Sequence, residues 1–328
     1  MESQPAENKK FKLSFVIPVY NEEKTLLELY ERIKKVIEEL RVRYQILFVD
    51  DGSQDRSVQI LQSLCEKDAG IQVILFSRNF GHQTAVTAGL HYATGDAVVV
   101  MDSDLQDPPE IIPQFVQKWQ EGYQVVYGIR KKRKEHIFLR IMYALFYRML
   151  KTVSTIEIPL DAGDFCLMDK KIVKLLNSIP ERNRFVRGIR SWVGFNQIGI
   201  PYERDKRFGG ESKYSLGKLI KLALDGFVSF SYAPLRFASY TGFSVSAFSL
   251  IYGLGTFFQK IFTNTTVPGY TTTIIMICFI GGVQLITIGI IGEYLGRIYD
   301  EVKNRPLYIV RGILGSLEGQ DSEMKPDA

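Results

Sequence analysis

Four apolar runs dominate the first hundred residues: KLSFVIPVY, YQILFVDD, IQVILFSR and DAVVVMDSD. Each is short, rich in Val, Ile and Phe, and closed by polar or acidic residues. This is the pattern of a strand buried on both faces. The segments between the runs have helical periodicity. In NEEKTLLELYERIKKVIEEL, the residues Leu26, Leu29, Ile33, Val36, Ile37 and Leu40 recur at the spacing of one helix face. DRSVQILQSLCEKD and GHQTAVTAGLHYATG supply the next two helices. Strands that alternate with helices leave few choices of fold: α/β, with a mostly parallel sheet covered on both faces. Ligands of such sheets bind beyond the carboxyl ends of the strands. The motifs PVYNE, DDGSQD and DSDLQD all fall at those ends, so function is expected there.

Composition agrees with a folded core. Of 328 residues, 46% are hydrophobic and 23% charged, which argues against global disorder. A formal net charge of +5 is too small to imply nucleic acid as a partner. Its distribution says more: GIRKKRKEHIFLR is one basic cluster, and Arg204, Lys206, Arg207, Lys213, Lys218 and Lys221 form another. Cys65, Cys166 and Cys278 are scattered, with no CxxC pair, which fits a reducing compartment and neither zinc nor a disulfide framework. The polar start MESQPAENKKFK carries no apolar signal core, so the first domain is expected in the cytoplasm.

After about residue 230 the composition changes. YAPLRFASYTGFSVSAFSLIYGLGTFF and YTTTIIMICFIGGVQLITIGIIGEYLG are each long enough to cross a bilayer, which takes about 20 apolar residues. Arg236 precedes the first, and Arg297, Lys303 and Arg305 follow the second, while the connecting loop carries only Lys260. The positive-inside rule places both termini in the cytoplasm and the loop outside. The sequon at Asn264 carries little weight, being short. SLGKLIKLALDGFVSF, just before the first span, reads as an amphipathic helix in the membrane interface. Gly292 and Gly296 form a GxxxG that permits close helix contact.

The chemistry is read from the strand ends. In DSD, Asp102 and Asp104 follow an apolar strand, and two carboxylates one residue apart can hold a hard divalent cation, Mg²⁺ or Mn²⁺. Gln106 could add a carbonyl oxygen. Asp107, before Pro108, reads as a helix N-cap. Asp50 and Asp51 can accept hydrogen bonds from a nucleobase or ribose, and Asp55 can cap the following helix. Pro18 and Tyr20 could shape a base pocket that Glu22 reaches; Asn21 is either part of that pocket or a cap. His82 either touches the donor or opens its helix. Trp119 and Trp192 read as packing residues, although Trp192 could line the sugar site. No GxGxxG follows the first strand and no GxxxxGK[ST] occurs, so dinucleotide and P-loop sites lose their main support.

The ordered set SFVIPVYNEE, FVDDGSQDRS, SRNFGHQTAVTAGLHYATGDAVVVMDSDLQDPPE, DAGDFCLMD, NRFVRGIRSWVGF and RFGGESKYSLGKL resembles the polyprenyl-phosphate glycosyltransferases of glycosyltransferase family two. The similarity is to the dolichol-phosphate-mannose-synthase-like group, and within it to the bacterial subgroup with two C-terminal spans. It covers roughly residues 11 to 310. The resemblance implies a GT-A fold, a nucleotide-sugar donor, a divalent metal, inversion at the anomeric carbon and a lipid-phosphate acceptor at the cytoplasmic face. It also implies a homo-oligomer, in some members a tetramer. Carried over by position, Pro18, Tyr20, Glu22, Asp50, Asp51 and Asp102 match nucleotide-binding residues. Asp102, Asp104 and Gln106 match the metal site. Asp164 matches an aspartate that acts as a base or positions the acceptor. Arg130 and Arg140 match phosphate-binding positions, and Arg207, Ser212 and Lys213 lie in a segment near the membrane. After Arg140 the chain reads IMYALFYR where the family usually has a serine, so Tyr143 or a neighbour must take that contact.

The expected organisation is then a flexible N-terminus (1–10), a GT-A domain (11–214), an interfacial helix region (215–231), two transmembrane helices (232–258 and 271–297) around an external loop (259–270), and a cytoplasmic tail (298–328). The expected reaction moves a sugar from a UDP-linked donor, such as UDP-glucose, to undecaprenyl phosphate. A processive polysaccharide synthase ranks below it, because no QxxRW motif and only two spans are present. A non-catalytic nucleotide-sugar-binding membrane subunit is disfavoured by the intact acidic set.

Overall fold

Strand β1 (Lys12–Val19) pairs in parallel with both β2 (Arg43–Asp50) and β4 (Ala97–Val100), and β2 pairs in parallel with β3 (Ile71–Phe76). The computed structural model describes residues 11–130, 162–182, 184–203, 233–263 and 269–315. These strands are the centre of an eight-stranded sheet in the order β7-β5-β6-β4-β1-β2-β3-β8. On one side, β6 (Ala162–Asp169) runs antiparallel to β4 and to β5 (Val125–Arg130), and β7 (Gln197–Tyr202) runs parallel to β5. On the other, β8 (Val310–Leu314) runs antiparallel to β3. Residues 310–314, read from the sequence as part of a tail, are therefore an edge strand of this sheet. Tyr308, just before β8, stacks on Phe76 with ring centroids 5.1 Å apart.

Residue alternation explains the layers. Along β1, Leu13, Phe15, Ile17 and Val19 join the core formed with α1 (Leu26–Leu40), α2 (Ser57–Lys67) and α4 (Ile112–Gln120). Val16 points the other way, into a core with α3 (His82–Tyr92), α5 (Lys170–Ser178) and α6 (Val186–Trp192). Successive side chains of a strand face opposite sides, so a strand covered on both faces is apolar throughout. Trp119 packs as expected: its ring lies 5.1 Å from that of Phe11, and its Nε1 donates to Asp169 at 2.8 Å. Trp192 does not, being 64% exposed.

Both C-terminal apolar segments are helices, α7 (Ala233–Thr263) and α8 (Tyr270–Val302), and they pack on each other. Among the described residues one stretch, Ile275–Val302, is long and apolar enough to cross a membrane, with a mean hydropathy of 2.3. Phe243, Ile251, Phe262, Leu285 and Ile286 on the two helices are exposed. The proposed interfacial helix, Asn264 and residues 1–10 lie outside the described residues.

One polar hub interrupts the apolar core. The buried Gln45 on β2 accepts from Ser14 Oγ (2.6 Å), Thr94 N (2.9 Å) and Thr94 Oγ1 (3.0 Å), and its amide donates to Gln72 Oε1 at 2.7 Å. A buried group of this kind is costly only when its partners are lost. Gln45→Leu should therefore destabilise the fold by about 1–3 kcal/mol despite the gain in hydrophobicity. Thermal unfolding in detergent reads this out, and an unchanged or raised midpoint would refute the structural role of the hub.

Candidate functional site

The loops after β1 and β2 hold one another by reciprocal hydrogen bonds. Asn21, at a left-handed φ of 57°, donates its backbone N–H to Ser53 Oγ (3.0 Å), and its side chain accepts from Gln54 N (2.8 Å). Asn21 is thus a loop tie and not a helix cap. Glu22 N donates to Ser57 Oγ, Glu23 N to Asp55 Oδ2, and Arg56 N to Glu23 Oε2. Asp55 also accepts from Ser57 N at 2.9 Å, which serves the start of α2 as expected. Around these ties stand Pro18, the half-exposed Tyr20 and the partly buried Glu22. This is the group assigned from sequence to the nucleotide.

Asp50 and Asp51 are both buried, and burial raises both pKa values. They differ in employment. Asp50 accepts from Ser53 N at 3.3 Å, and the positive charge of Arg311 on β8 also acts on it. Asp51 is taken up by the backbone, accepting from Phe80 N (2.6 Å) and Gly81 N (2.9 Å). It fixes the β3–α3 loop, where Gly81 has a φ of 98°.

The acidic loop follows β4. Asp102 and Asp104 are partly buried, with the buried Ser103 between them donating to Pro18 O at 2.9 Å. Asp104 Oδ1 accepts from Gln106 N at 3.1 Å, and Leu105 has a left-handed φ of 59°. Strained backbone at a strand end is a frequent mark of a functional loop. His82 Nε2 lies 2.9 Å from Asp102 Oδ1. Burial works against its positive form, but the hydrogen bond and charge of Asp102, with Asp164 and Asp51 beyond, raise its pKa. Next to it, Gln83 Nε2 reaches Asp164 Oδ2 at 3.3 Å, while Gln83 Oε1 accepts from Val186 N at 3.0 Å. Arg187 Nε stands 3.9 Å from Asp164 Oδ1. The structure thus joins Asp102 to Asp164 through His82 and Gln83 and adds Arg187. Gln83 and Arg187 were not singled out from sequence; the basic spacing of NRFVRGIR was the available signal for Arg187.

Arg130 ends β5, where Tyr202 on β7 is its register partner. Asp107 was expected to cap a helix. It makes no such cap: the short 3-10 turn Pro109–Ile111 has Pro108 at its N-cap, and the fully buried Asp107 accepts a hydrogen bond from the Tyr202 hydroxyl. Arg140, Tyr143, Arg207, Ser212 and Lys213 lie outside the described residues.

Among the described residues no three His, Cys, Asp or Glu side chains form a ready cation cage. Asp102 and Asp104 offer two carboxylates, and Gln106 adds a side-chain amide, while its backbone N–H donates to Asp104 Oδ1. That is a fit for Mg²⁺ or Mn²⁺, which take one or two protein carboxylates and complete their shell with water and substrate phosphates.

The Glycosyl transferase family 2 model matches residues 14–176, and a model described as the GtrB C-terminal hairpin matches residues 233–298. The chain is 48% identical over 303 residues to the uncharacterized glycosyltransferase YkcC of Bacillus subtilis (strain 168), covering 92% of this chain and 94% of that one. It is 42% identical over 301 residues to the bactoprenol glucosyl transferase of Shigella phage SfII, covering 92% and 97%. Among solved structures, the mannosyl-3-phosphoglycerate synthase from Rubrobacter xylanophilus is similar at 19% identity and a TM-score of 0.46, covering 66% of this chain and 71% of that one.

The engagement of Asp51 by two backbone amides has a measurable consequence. Hydrogen bonds to a charged group contribute about 1.5–3 kcal/mol, so Asp51→Asn should lower stability by that order. It should also speed hydrogen exchange at Phe80 and Gly81 before other amides of the sheet. Unchanged exchange at these two amides would show that the loop is held by other means.

Proposed function

The chain belongs to glycosyltransferase family 2 and is an enzyme, and on that premise we propose that it moves a sugar from a UDP-linked donor to a polyprenyl phosphate. The observation that carries the reading is the division of charge along one sheet edge. Asp102 and Asp104 follow β4, Arg130 ends β5, and Arg187 faces Asp164 at the start of β6; in this reading the carboxylates serve the donor and the arginines the acceptor. The name of the phage relative, a bactoprenol glucosyl transferase, supports the lipid acceptor and makes glucose the first sugar to test. The exposed apolar surfaces of α7 and α8, with the hairpin match, support anchorage by two spans with the sheet unit in the cytoplasm.

In this reading Tyr20, Glu22 and Asp50 hold the uridine, and Asp51 acts on it indirectly by fixing the neighbouring loop. Asp102, Asp104 and Gln106 would hold Mg²⁺ or Mn²⁺, and a bound cation would supply positive charge to offset that of the departing diphosphate. A phosphate oxygen of the lipid attacks the anomeric carbon from the face opposite the diphosphate. The bond from that carbon to the diphosphate oxygen breaks, UDP departs and the configuration inverts. The attacking oxygen is already anionic near neutral pH, so no proton has to be removed. Asp164 is then a positioning residue, held by Gln83 and paired with Arg187, and not a general base. Arg130 takes the acceptor phosphate. Arg140, Arg207, Ser212 and Lys213 are assigned to the same task on sequence grounds. Two anions that repel in water are held together by opposite charges fixed in advance.

Asp102→Ala and Asp104→Ala should each reduce transfer of label from UDP-glucose to undecaprenyl phosphate by at least roughly a hundredfold. An excess of chelator should do the same to the unaltered enzyme, with activity restored by Mn²⁺ or Mg²⁺. Full activity in either variant, or in chelator, would remove the metal from the mechanism. A lipid fraction that stays unlabelled with every UDP- and GDP-sugar would remove the acceptor.

A further inference from the structure

Asp107 raises a question that the reaction leaves open. A carboxylate with no solvent exposure is expensive to bury, and this one caps no helix. Among the described residues it meets the phenol of Tyr202, itself 2% exposed, which donates to Asp107 Oδ1. The same phenol oxygen accepts from Arg130 Nε at 3.3 Å. Carboxylate, neutral phenol and guanidinium therefore stand in a line. Burial and the Asp107 charge both raise the Tyr202 pKa, so the phenol keeps its proton and remains a donor. Burial opposes the charge of Arg130, yet Tyr202 and the charges of Asp107 and Asp102 raise its pKa overall.

The backbone is shaped for this line. Arg130 and Tyr202 are direct partners across β5 and β7. A Cβ at Gly128 would come within 2.6 Å of the Tyr202 ring, and one at Gly163 within 3.0 Å of Arg130 Nη2. Glycine at both places lets the ring and the guanidinium lie against the sheet.

We infer that Asp107 and Tyr202 form a buried strut that positions Arg130 to receive the phosphate of the lipid acceptor. This rests on the reading of Arg130 as an acceptor residue given above. The strut occupies Nε and leaves the two terminal nitrogens of the fork for an anion, the geometry in which arginine binds phosphate best. Asp107 sits on the loop that carries Asp102 and Asp104, so one short stretch of chain sets both the donor-side carboxylates and the anchor of the acceptor-side arginine.

The test is a binding experiment on the full chain in detergent, which needs no knowledge of the sugar. Undecaprenyl phosphate is titrated in the presence of UDP and Mn²⁺, and UDP with Mn²⁺ is titrated separately. Tyr202→Phe keeps the ring and removes only the hydroxyl, and Asp107→Asn keeps the volume and removes the charge. Each should weaken binding of undecaprenyl phosphate by about tenfold or more. Each should also leave binding of UDP with Mn²⁺ within about twofold of the unaltered chain, which a merely structural defect would not do. Arg130→Ala should show the same selective loss, and Tyr202→Phe added to it should cost little more, because the two act as a unit. If Arg130→Ala weakens lipid binding while Tyr202→Phe does not, the strut is wrong and the acceptor reading survives. If Arg130→Ala leaves lipid binding unchanged, the acceptor role of Arg130 falls and the strut falls with it. Equal loss of UDP and lipid binding in Tyr202→Phe would also overturn the proposal.

Discussion

Parallel pairing of β1 with β2 and β4 is the constraint on which the rest depends. It places the carboxyl ends of three buried strands side by side, so the loops that leave them must share one small region. Each of these ends is acidic: Asp50 ends β2 and Asp51 follows it, Glu22 and Glu23 follow β1, and Asp102 and Asp104 follow β4. Like charges gathered in this way repel, and burial raises the cost. The chain answers by giving most of these groups a fixed donor. Backbone amides take Asp51, Asp55 and Glu23, and His82 takes Asp102. These hydrogen bonds cross-link the loops, which is the preorganisation that the proposed metal and diphosphate site would need.

The acidic residues therefore divide by employment. Asp51 and Asp55 hold backbone. Asp102 and Asp104 are only partly buried and stand where a cation can reach them. Asp164 is engaged by Gln83 and faces Arg187. Asp107 is withdrawn from solvent entirely, with Tyr202 as its donor. A run of acidic letters thus contains several physical roles that burial and partners separate.

Much of this was legible beforehand, for a plain reason. The strands β1 to β4 and the helices α1 to α3 are encoded by periodicity within short windows, and the site follows from where those windows end. Asp102 and Asp104 were placed at the sheet edge by the same logic. Long-range partners were not legible. The helix-cap reading of Asp107 used only its neighbour Pro108, whereas its partner Tyr202 lies 95 positions away. Trp192 was read as packed because tryptophan usually is, but it ends a short helix and points to solvent. Gln45 carries no signal of its role in its own window, because its partners lie on β1, on β3 and after α3. Strand β8 was hidden because a five-residue segment after a long apolar helix carries little signal of its own.

That last strand explains how the sheet ends. Without it β3 would be an edge, with a row of unpaired backbone groups, a template for unwanted pairing. β8 covers that edge, and the Phe76–Tyr308 stack holds its start. The ladder slips between Leu75 and Phe76, whose partners are Gly312 and Val310, so Arg311 is the extra residue of a bulge. Bulges twist an edge and re-aim a side chain. Arg311 carries a positive charge that acts on the buried Asp50. The segment that follows the helical hairpin thus closes the sheet and adds a compensating charge to its most buried acidic end.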